Sequence, residues 1–441
     1  MLVVFAFTAW RAIGYRFRTA SIDEVWAVVP PDLLKREPVD EAAQQRYVEL
    51  VELIRQLGES SSSERTSAGA TTLHSKNEEF WRAKSMIRAR MVSLLKEGPI
   101  QCPSGGLEGD ITWLPPNSLY WFLSMALSSA KLFAANRNFD DCTLMLILTE
   151  RLGERLMDDQ GDLEQYAVAS AVRLKTAQAI NEAICIPGFP LSDCKLLLNG
   201  MTPAPPSDVA LTNSLRKDFQ TGQLLWLPDP TKSWKSKNDV APASLIPMAY
   251  SEPGLGTYDA IQTAKEVASM VSVAIANAKK PLSEFDRSAE RTMERETSNL
   301  PRQEYVQQNE TLRKFFARWS YHLSMDITPN SIGRKLLGTL SCISRDVVVE
   351  SCEWRATQNA TRVLLASRIY RAGHGGKLPA TADGFLPLVG SWPQDPFNGK
   401  PMIFDSKQER VYSVGSNLID DGGIVSFTSA GAPDVGVSLK L

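Results

Sequence analysis

Three observations predict a mainly α-helical chain: an antiparallel array of helical hairpins, closed by a small C-terminal α+β module of a long helix plus an antiparallel hairpin. Apolar residues recur three and four positions apart through most of the stretch from Pro38 to Ala372. Neighbouring runs are joined by short polar connections such as Asn136-Arg137-Asn138 and Asp159-Gln160-Gly161-Asp162. Strand-like runs and tight-turn dipeptides become clear only after Pro379.

The first element, residues 1–18, is an apolar segment: Met1 to Trp10 is apolar except for Thr8, with Arg11, Arg16 and Arg18 following. Ten helical residues reach about 15 Å, short of a hydrocarbon core of about 30 Å. It lacks the basic start and small-residue cleavage site of a signal peptide. Two readings compete. One is the tail of a truncated transmembrane anchor that begins upstream of Met1; the other is a short amphipathic element packed on the domain. The first is preferred because Trp10 ends a nearly unbroken apolar run, as at a membrane interface.

Residues 19–75 hold a helix from Pro38 to about Leu57 and a low-complexity linker, Glu59 to Thr72. Residues 76–343 form the helical array. Its helices are read at Asn77–Glu97, Asn117–Ala135, Asn138 onward with a stripe of Leu144, Leu148, Leu152 and Leu156, and Asp162–Ile184. In the last of these Asp162 and Gln165 make a capping box, and Ala167, Ala171, Leu174, Ala177 and Ile180 mark the packed side. Pro187-Gly188-Phe189-Pro190 stops it. Ser192 caps a short helix that Asn199-Gly200 ends in left-handed geometry. A short strand is expected at Ile111–Leu114, and further helices near Ser207–Leu225, at Tyr258–Lys279, after Pro281, at Arg302–Trp319 and from Gly333, with a break near Ser344. No tetratricopeptide signature is present, so the repeat is left unnamed.

Lys+Arg 48 against Asp+Glu 50 gives a net charge of -2. That balance argues against nucleic acid as a partner. The six cysteines, Cys102, Cys142, Cys185, Cys194, Cys342 and Cys352, contain no Cys-x-x-Cys pair and do not space like a zinc site. They read as buried small hydrophobes, with one or two disulfides as the alternative in an exported protein. No Gly-x-Ser-x-Gly, His-Glu-x-x-His or phosphate-loop pattern occurs. Gly254-Leu255-Gly256 is too short for a nucleotide loop. His322 reads as a core residue, and His374, in Gly373-His374-Gly375-Gly376, as a partner of a helix C-terminus.

The segment 344–441 is the most informative. An amphipathic helix ends in Tyr370-Arg371-Ala372-Gly373-His374-Gly375-Gly376-Lys377-Leu378-Pro379. Asp395-Pro396-Phe397-Asn398-Gly399-Lys400-Pro401, Tyr412-Ser413-Val414-Gly415 and Asp420-Asp421-Gly422-Gly423 follow. Lys400–Asp405 and Glu409–Val414 read as two hairpin strands, with Asn398-Gly399 as a tight turn before them. From Asn359 to Leu441 this order resembles the globular part of the major pseudopilin of type II secretion systems. The whole chain is similar to large bacterial envelope proteins with an N-terminal anchor, a helical middle and this terminus.

One departure matters. A pseudopilin carries the module directly after a cleaved apolar helix, and Cys352-Glu353-Trp354-Arg355 is not such an anchor. An ordinary pilus subunit is therefore not expected. In the pseudopilin family the loop after the hairpin binds calcium. The resemblance implies Asn417, Asp420, Asp421 and Asp434 as metal ligands, and calcium as the cofactor the chain would hold, if any. Oxygen-rich loops suit this hard cation. The alternative is a polar turn with solvated carboxylates.

The function expected from this reading is a non-enzymatic, membrane-anchored, extracytoplasmic protein of the bacterial cell envelope. Its partners are envelope proteins, and it meets the membrane through its N-terminal segment. The competing readings are an enzyme of unrecognised type, with a cleft between array and module, and a cytoplasmic helical scaffold.

Overall fold

The computed structural model describes residues 17–18, 24, 27–34, 40–62, 81–101, 116–158, 161–226, 258–298, 345–426 and 434–440, residues 82 and 162 excepted. Residues 1–16, most of the low-complexity linker, the expected strand at 111–114, the glycine pair at 254–256, His322, and the expected helices at 302–319 and 333–344 lie outside them. The fold is mainly helical with a small C-terminal sheet. Two compact units emerge. One comprises Met1–Glu37, Leu215–Ala276 and Asp286–Arg345; the other comprises Pro38–Ser214, Asn277–Phe285 and Asp346–Leu441. Among the described residues, no helix is long and apolar enough to cross a membrane.

In the first unit, α1 (Pro31–Leu34) is held by side chains of α8 (Val209–Trp226). Arg216 donates to the Asp32 carbonyl at 2.9 Å and Gln220 to that of Leu33 at 2.7 Å. Strand β1 (Phe17–Arg18) runs parallel to β2 (Tyr258–Asp259). Asp259 then caps α9 (Ala260–Ala278), accepting from the Gln262 N–H at 2.9 Å. Of the stripe expected on α9, Ile261, Ala264, Ala268, Val271 and Ile275, all but the half-exposed Ile261 are buried. Helix α10 (Ser288–Ser298) follows, and Glu290 accepts from the Arg345 N–H at 2.6 Å.

The second unit begins with α2 (Glu41–Ser62) and α3 (Ser85–Glu97), bridged by Arg90 and Glu49 at 2.5 Å. Helix α2 runs a turn past its expected end. Helices α4 (Pro116–Ala135), α5 (Phe139–Asp158) and α6 (Leu163–Ile184) each pack against the other two. The α4–α5 connection is tight because Arg137 takes a left-handed φ of 60° and the Asn138 N–H reaches the Phe133 carbonyl at 2.8 Å. Leu148, Leu152 and Leu156 of the leucine stripe are buried, while Leu144 is half-exposed. Gly153 of α5 lies against Val172 and Arg173 of α6, where a Cβ would crowd the Val172 methyl at 3.1 Å.

Helix α6 corrects the expected stripe. Ala167 is exposed and Ala171 and Leu174 are half-exposed, whereas Val168, Ala169, Val172, Ala179 and Ala183 are buried alongside Ala177 and Ile180. A helix with neighbours on several sides buries more than one stripe, so a single-face reading picks the wrong edge. Helix α7 (Leu191–Gly200) brings a second correction. Pro190 takes the cap position and no side chain caps the helix; Ser192 sits inside the first turn. Gly200 belongs to the last turn and Met201 leaves it extended, so the end is not left-handed. Gly200 faces Ile147 of α5, which lies 3.5 Å from where its Cβ would be, an ordinary contact distance.

Helix α11 (Arg345–Gly373) runs unbroken for 29 residues. Its expected amphipathic face is absent over the middle: from Ser351 to Ser367 every residue but Glu353 is buried. Beyond it come a 3-10 turn (Ala382–Phe385), α12 (Leu386–Val389) and four strands. These are β3 (Ile403–Asp405), β4 (Arg410–Ser413), β5 (Val425–Ser426) and β6 (Asp434–Ser438), in the order β3-β4-β6-β5. The expected hairpin is β3–β4, with Asp405 closing the turn by accepting from Lys407 and Gln408 N–H. Strand β6 inserts antiparallel beside β4 and pairs in parallel with β5. One face of α11 joins the module through a core of Leu282, Val348, Cys352, Ala356, Phe397, Val414 and Val435.

Candidate functional site

The densest chemistry in the second unit is a polar seam along the buried middle of α11. Residues three, four and seven apart on a helix share a face. Ser351, Arg355, Gln358 and Arg362 follow that spacing and meet carbonyls and carboxylates of the array. Arg355 donates to the Pro206 carbonyl at 2.8 Å and Gln358 to that of Thr202 at 2.7 Å. Asn359 accepts from the Ala204 N–H at 3.2 Å. Arg362 donates to Leu198 and Met201 carbonyls, and Arg368 to that of Ile184. These last acceptors lie at the C-terminal ends of α7 and α6, where carbonyls lack helical partners and the dipole favours a cation. Burial holds the Arg362 pKa below the usual guanidinium value.

Two carboxylates anchor the seam. Asp208 is 1% exposed. One oxygen accepts from Tyr166 and from Ser351, each at 2.6 Å; the other caps α8 by accepting from the Leu211 N–H at 2.8 Å. Burial and the adjacent Asp208 raise the Tyr166 pKa well above its ordinary value. The Trp354 indole N–H donates to the Tyr166 oxygen at 3.2 Å. Glu150 pairs with Arg173 at 2.9 Å, with 1% and 5% of the two side chains exposed. It also accepts from Gln358 at 2.9 Å. The Arg173 guanidinium lies 4.7 Å from the centre of the Trp354 ring, a cation–π contact.

These groups could in principle move protons, yet each is enclosed and engaged by a partner on another element. The arrangement joins α11 to α5, α6, the 201–208 connection and the start of α8. Sequence reading missed all of it, because Glu150, Arg173 and Asp208 carry no motif and meet only in space.

A second cluster underlies the module. Asp395, 1% exposed, accepts from the Ser413 hydroxyl at 2.6 Å and the N–H groups of Phe397 and Val414 at 2.8 and 3.0 Å. It explains why Asp395-Pro396-Phe397-Asn398-Gly399 is a turn: the aspartate ties that turn to β4, and Gly399 takes a φ of 74°. Burial, opposed by these hydrogen bonds, raises the Asp395 pKa. A folded carboxyl with a raised pKa binds its proton more tightly than the unfolded chain does. Its stabilisation is complete below about pH 3.9 and is lost as pH rises through the folded value. The stability advantage of the native chain over Asp395→Asn is therefore expected to shrink as pH rises above about 4 toward neutrality. Urea unfolding of both proteins across that range checks it; an advantage that grows with pH would contradict the sign.

The four residues expected to hold calcium come together around one loop. The Asn417 amide donates to Asp421 at 2.8 Å. Asp420 accepts from the Gly422 N–H at 2.9 Å and from the Tyr412 hydroxyl at 3.2 Å. Asp434, at the start of β6, accepts from the Gly423 N–H at 2.9 Å and the Asp421 N–H at 3.5 Å. In this arrangement the carboxylates close the loop over β4. Among the described residues no group of three or more His, Cys, Asp or Glu side chains is placed to hold a metal ion.

His374 takes the position read from the sequence. Its Nδ1 lies 2.8 Å from the Tyr370 carbonyl at the end of α11, and its ring stacks on Tyr370 with centroids 3.8 Å apart. Cys142, Cys185, Cys194 and Cys352 are unpaired thiols, Cys185 exposed and the others buried. Burial pushes the Cys142 pKa up to about 12 and those of Cys194 and Cys352 up to about 11. These three are therefore inert as nucleophiles. Cys102 and Cys342 lie outside the described residues. No protein-family model, curated protein or solved structure matches this chain.

Proposed function

We propose that this protein is a non-enzymatic, membrane-anchored protein of the bacterial cell envelope, whose helical array holds the C-terminal module as an interaction surface. The observation that carries the reading is the seam on α11. The helix that opens the module is also the centre of the array, and Glu150, Arg173, Tyr166 and Asp208 are committed to keeping it there. Groups buried to this degree and bonded across elements hold a junction in place rather than face a substrate, even with the second Glu150 oxygen, the Arg173 Nε and the Gln358 Oε1 left without partners. A rigid junction suits a scaffold that must present one end to a partner. The membrane part of the proposal rests on the apolar run from Met1 to Trp10.

Cell fractionation tests it. The chain, expressed in a bacterium with whatever coding sequence precedes Met1, is expected in the membrane pellet. It should resist carbonate extraction, and its C-terminal module should be cut by protease added to spheroplasts. Recovery in the soluble cytoplasmic fraction, with the module protected, would overturn the envelope reading.

A further inference from the structure

Of the eight large hydrophobic side chains exposed among the described residues, three stand on one loop of the module. They are Leu418, Ile419 and Ile424, with 39%, 59% and 60% of each exposed. The loop is held rather than loose. Leu418 takes a left-handed φ of 61°, a conformation costly for a branched side chain, and Asn417 accepts from the Ile419 N–H at 3.0 Å. With Asp420 and Asp421 tied as described above, the apolar side chains are fixed facing outward. The side chains of these two aspartates are bonded to Tyr412, Gly422 and Asn417, all neutral groups. The loop thus presents an apolar tip beside two carboxylates that form no ion pair among the described residues, with the Arg410 guanidinium held on the Gly423 carbonyl at the loop's inner side.

The opposite character appears on α7 of the same unit. Leu191 and Leu196 are 37% and 54% exposed, and exposed Lys195 lies between them in sequence, four residues from the first. Spacing of four and five places the three side chains on one side of the helix. Lys195 has no ion-pair partner among the described residues. One copy therefore carries an apolar patch with two carboxylates outside any ion pair among the described residues, and an apolar patch with an unpaired base.

We infer that the 418–424 loop of one copy docks on the Leu191–Lys195–Leu196 face of α7 of a second copy. The inference deepens the interaction reading above by naming one partner. The two patches differ, so the contact is head-to-tail and each copy can engage two neighbours. Both patches are small, which places the contact in the weak, transient range. Its charged part makes it sensitive to salt.

Sedimentation velocity on the full chain in a mild non-ionic detergent tests this, from about 5 to 200 µM, a range that brackets weak association. Species larger than the monomer are expected at the upper end, receding when salt is raised. Ile419→Lys places a cation at the loop tip, and Leu196→Glu places an anion beside Lys195. Each variant alone is expected to associate at least tenfold more weakly. An equimolar mixture is expected to regain a dimer, because it offers one native loop and one native α7 face. Circular dichroism confirms that both variants are folded. A protein monomeric throughout, variants that associate like the parent, or a mixture that stays monomeric would each overturn the contact. Association through the apolar N-terminal segment would show as the second of these outcomes. None of the three bears on the fractionation result.

Discussion

Arg173→Met is expected to destabilise the second unit by about 3–5 kcal/mol, the range for leaving one member of a buried ion pair alone. Glu150 would keep only the Gln358 amide at 2.9 Å, and its second oxygen has no partner in the native arrangement either. Desolvation of that carboxylate would then go largely uncompensated. Methionine fills much of the arginine volume, so the effect reports charge and hydrogen bonding rather than a cavity. Methionine also cannot donate to the Thr202 hydroxyl, 3.1 Å from the Arg173 guanidinium, or place a cation over the face of Trp354. The double variant Glu150→Met/Arg173→Met is expected to cost less than the sum of the single changes by about 2 kcal/mol, because no orphan charge remains. Urea or guanidinium unfolding of the four proteins closes the cycle. Additive losses would mean that the pair contributes nothing as a pair. The seam would then be a packing surface only.

Gly436→Ala is expected to lower stability by about 3 kcal/mol, at the upper end for forcing atoms into a filled site. Gly436 lies in the middle of β6 opposite Tyr412 of β4. An alanine Cβ would lie 2.6 Å from the Tyr412 Cβ, 2.7 Å from its Cα, and against the Val411 carbonyl. Those are backbone and near-backbone atoms that cannot swing aside as the end of a long side chain would. The strand would have to move from β4, and with it Asp434 and the hydrogen bonds it accepts from Gly423 and Asp421. Hydrogen exchange should show faster opening of β4 and β6 amides, with the α4–α5–α6 helices little changed. Unchanged exchange in the two strands would refute the argument.

Much of this fold was legible in the chain because local chemistry and tertiary structure agree. Leu148, Leu152 and Leu156 repeat at the helical period and are buried together. Asn398-Gly399 is a turn because glycine accepts the positive φ found there. The β3–β4 hairpin follows from two short runs joined by Ser406-Lys407-Gln408. Strand β6 was not legible. Its segment, Asp434-Val435-Gly436-Val437-Ser438, carries an interior glycine that argues against a strand, and only the close backbone of β4 explains it.

The candidate site divides the same way. Asn417, Asp420, Asp421 and Asp434 were singled out by the resemblance to pseudopilins, and the fold brings them to one loop. Glu150, Arg173, Asp208 and Arg355 were not, because each sits on a helix or at its cap where one charged residue looks like any solvated one. Helix α11 shows the limit most clearly. Its polar residues suggest a wet face, whereas the structure encloses that face.

By itself, the sequence determined the helical array, the turn chemistry of the module and the position of His374 at a helix end. These depend on residues a few positions apart. The tertiary structure alone decided that α11 belongs to both array and module, since its arginines meet carbonyls more than a hundred residues away along the chain. Spacing along a helix fixes which side chains share a face. What that face touches is fixed by how the other helices close around it.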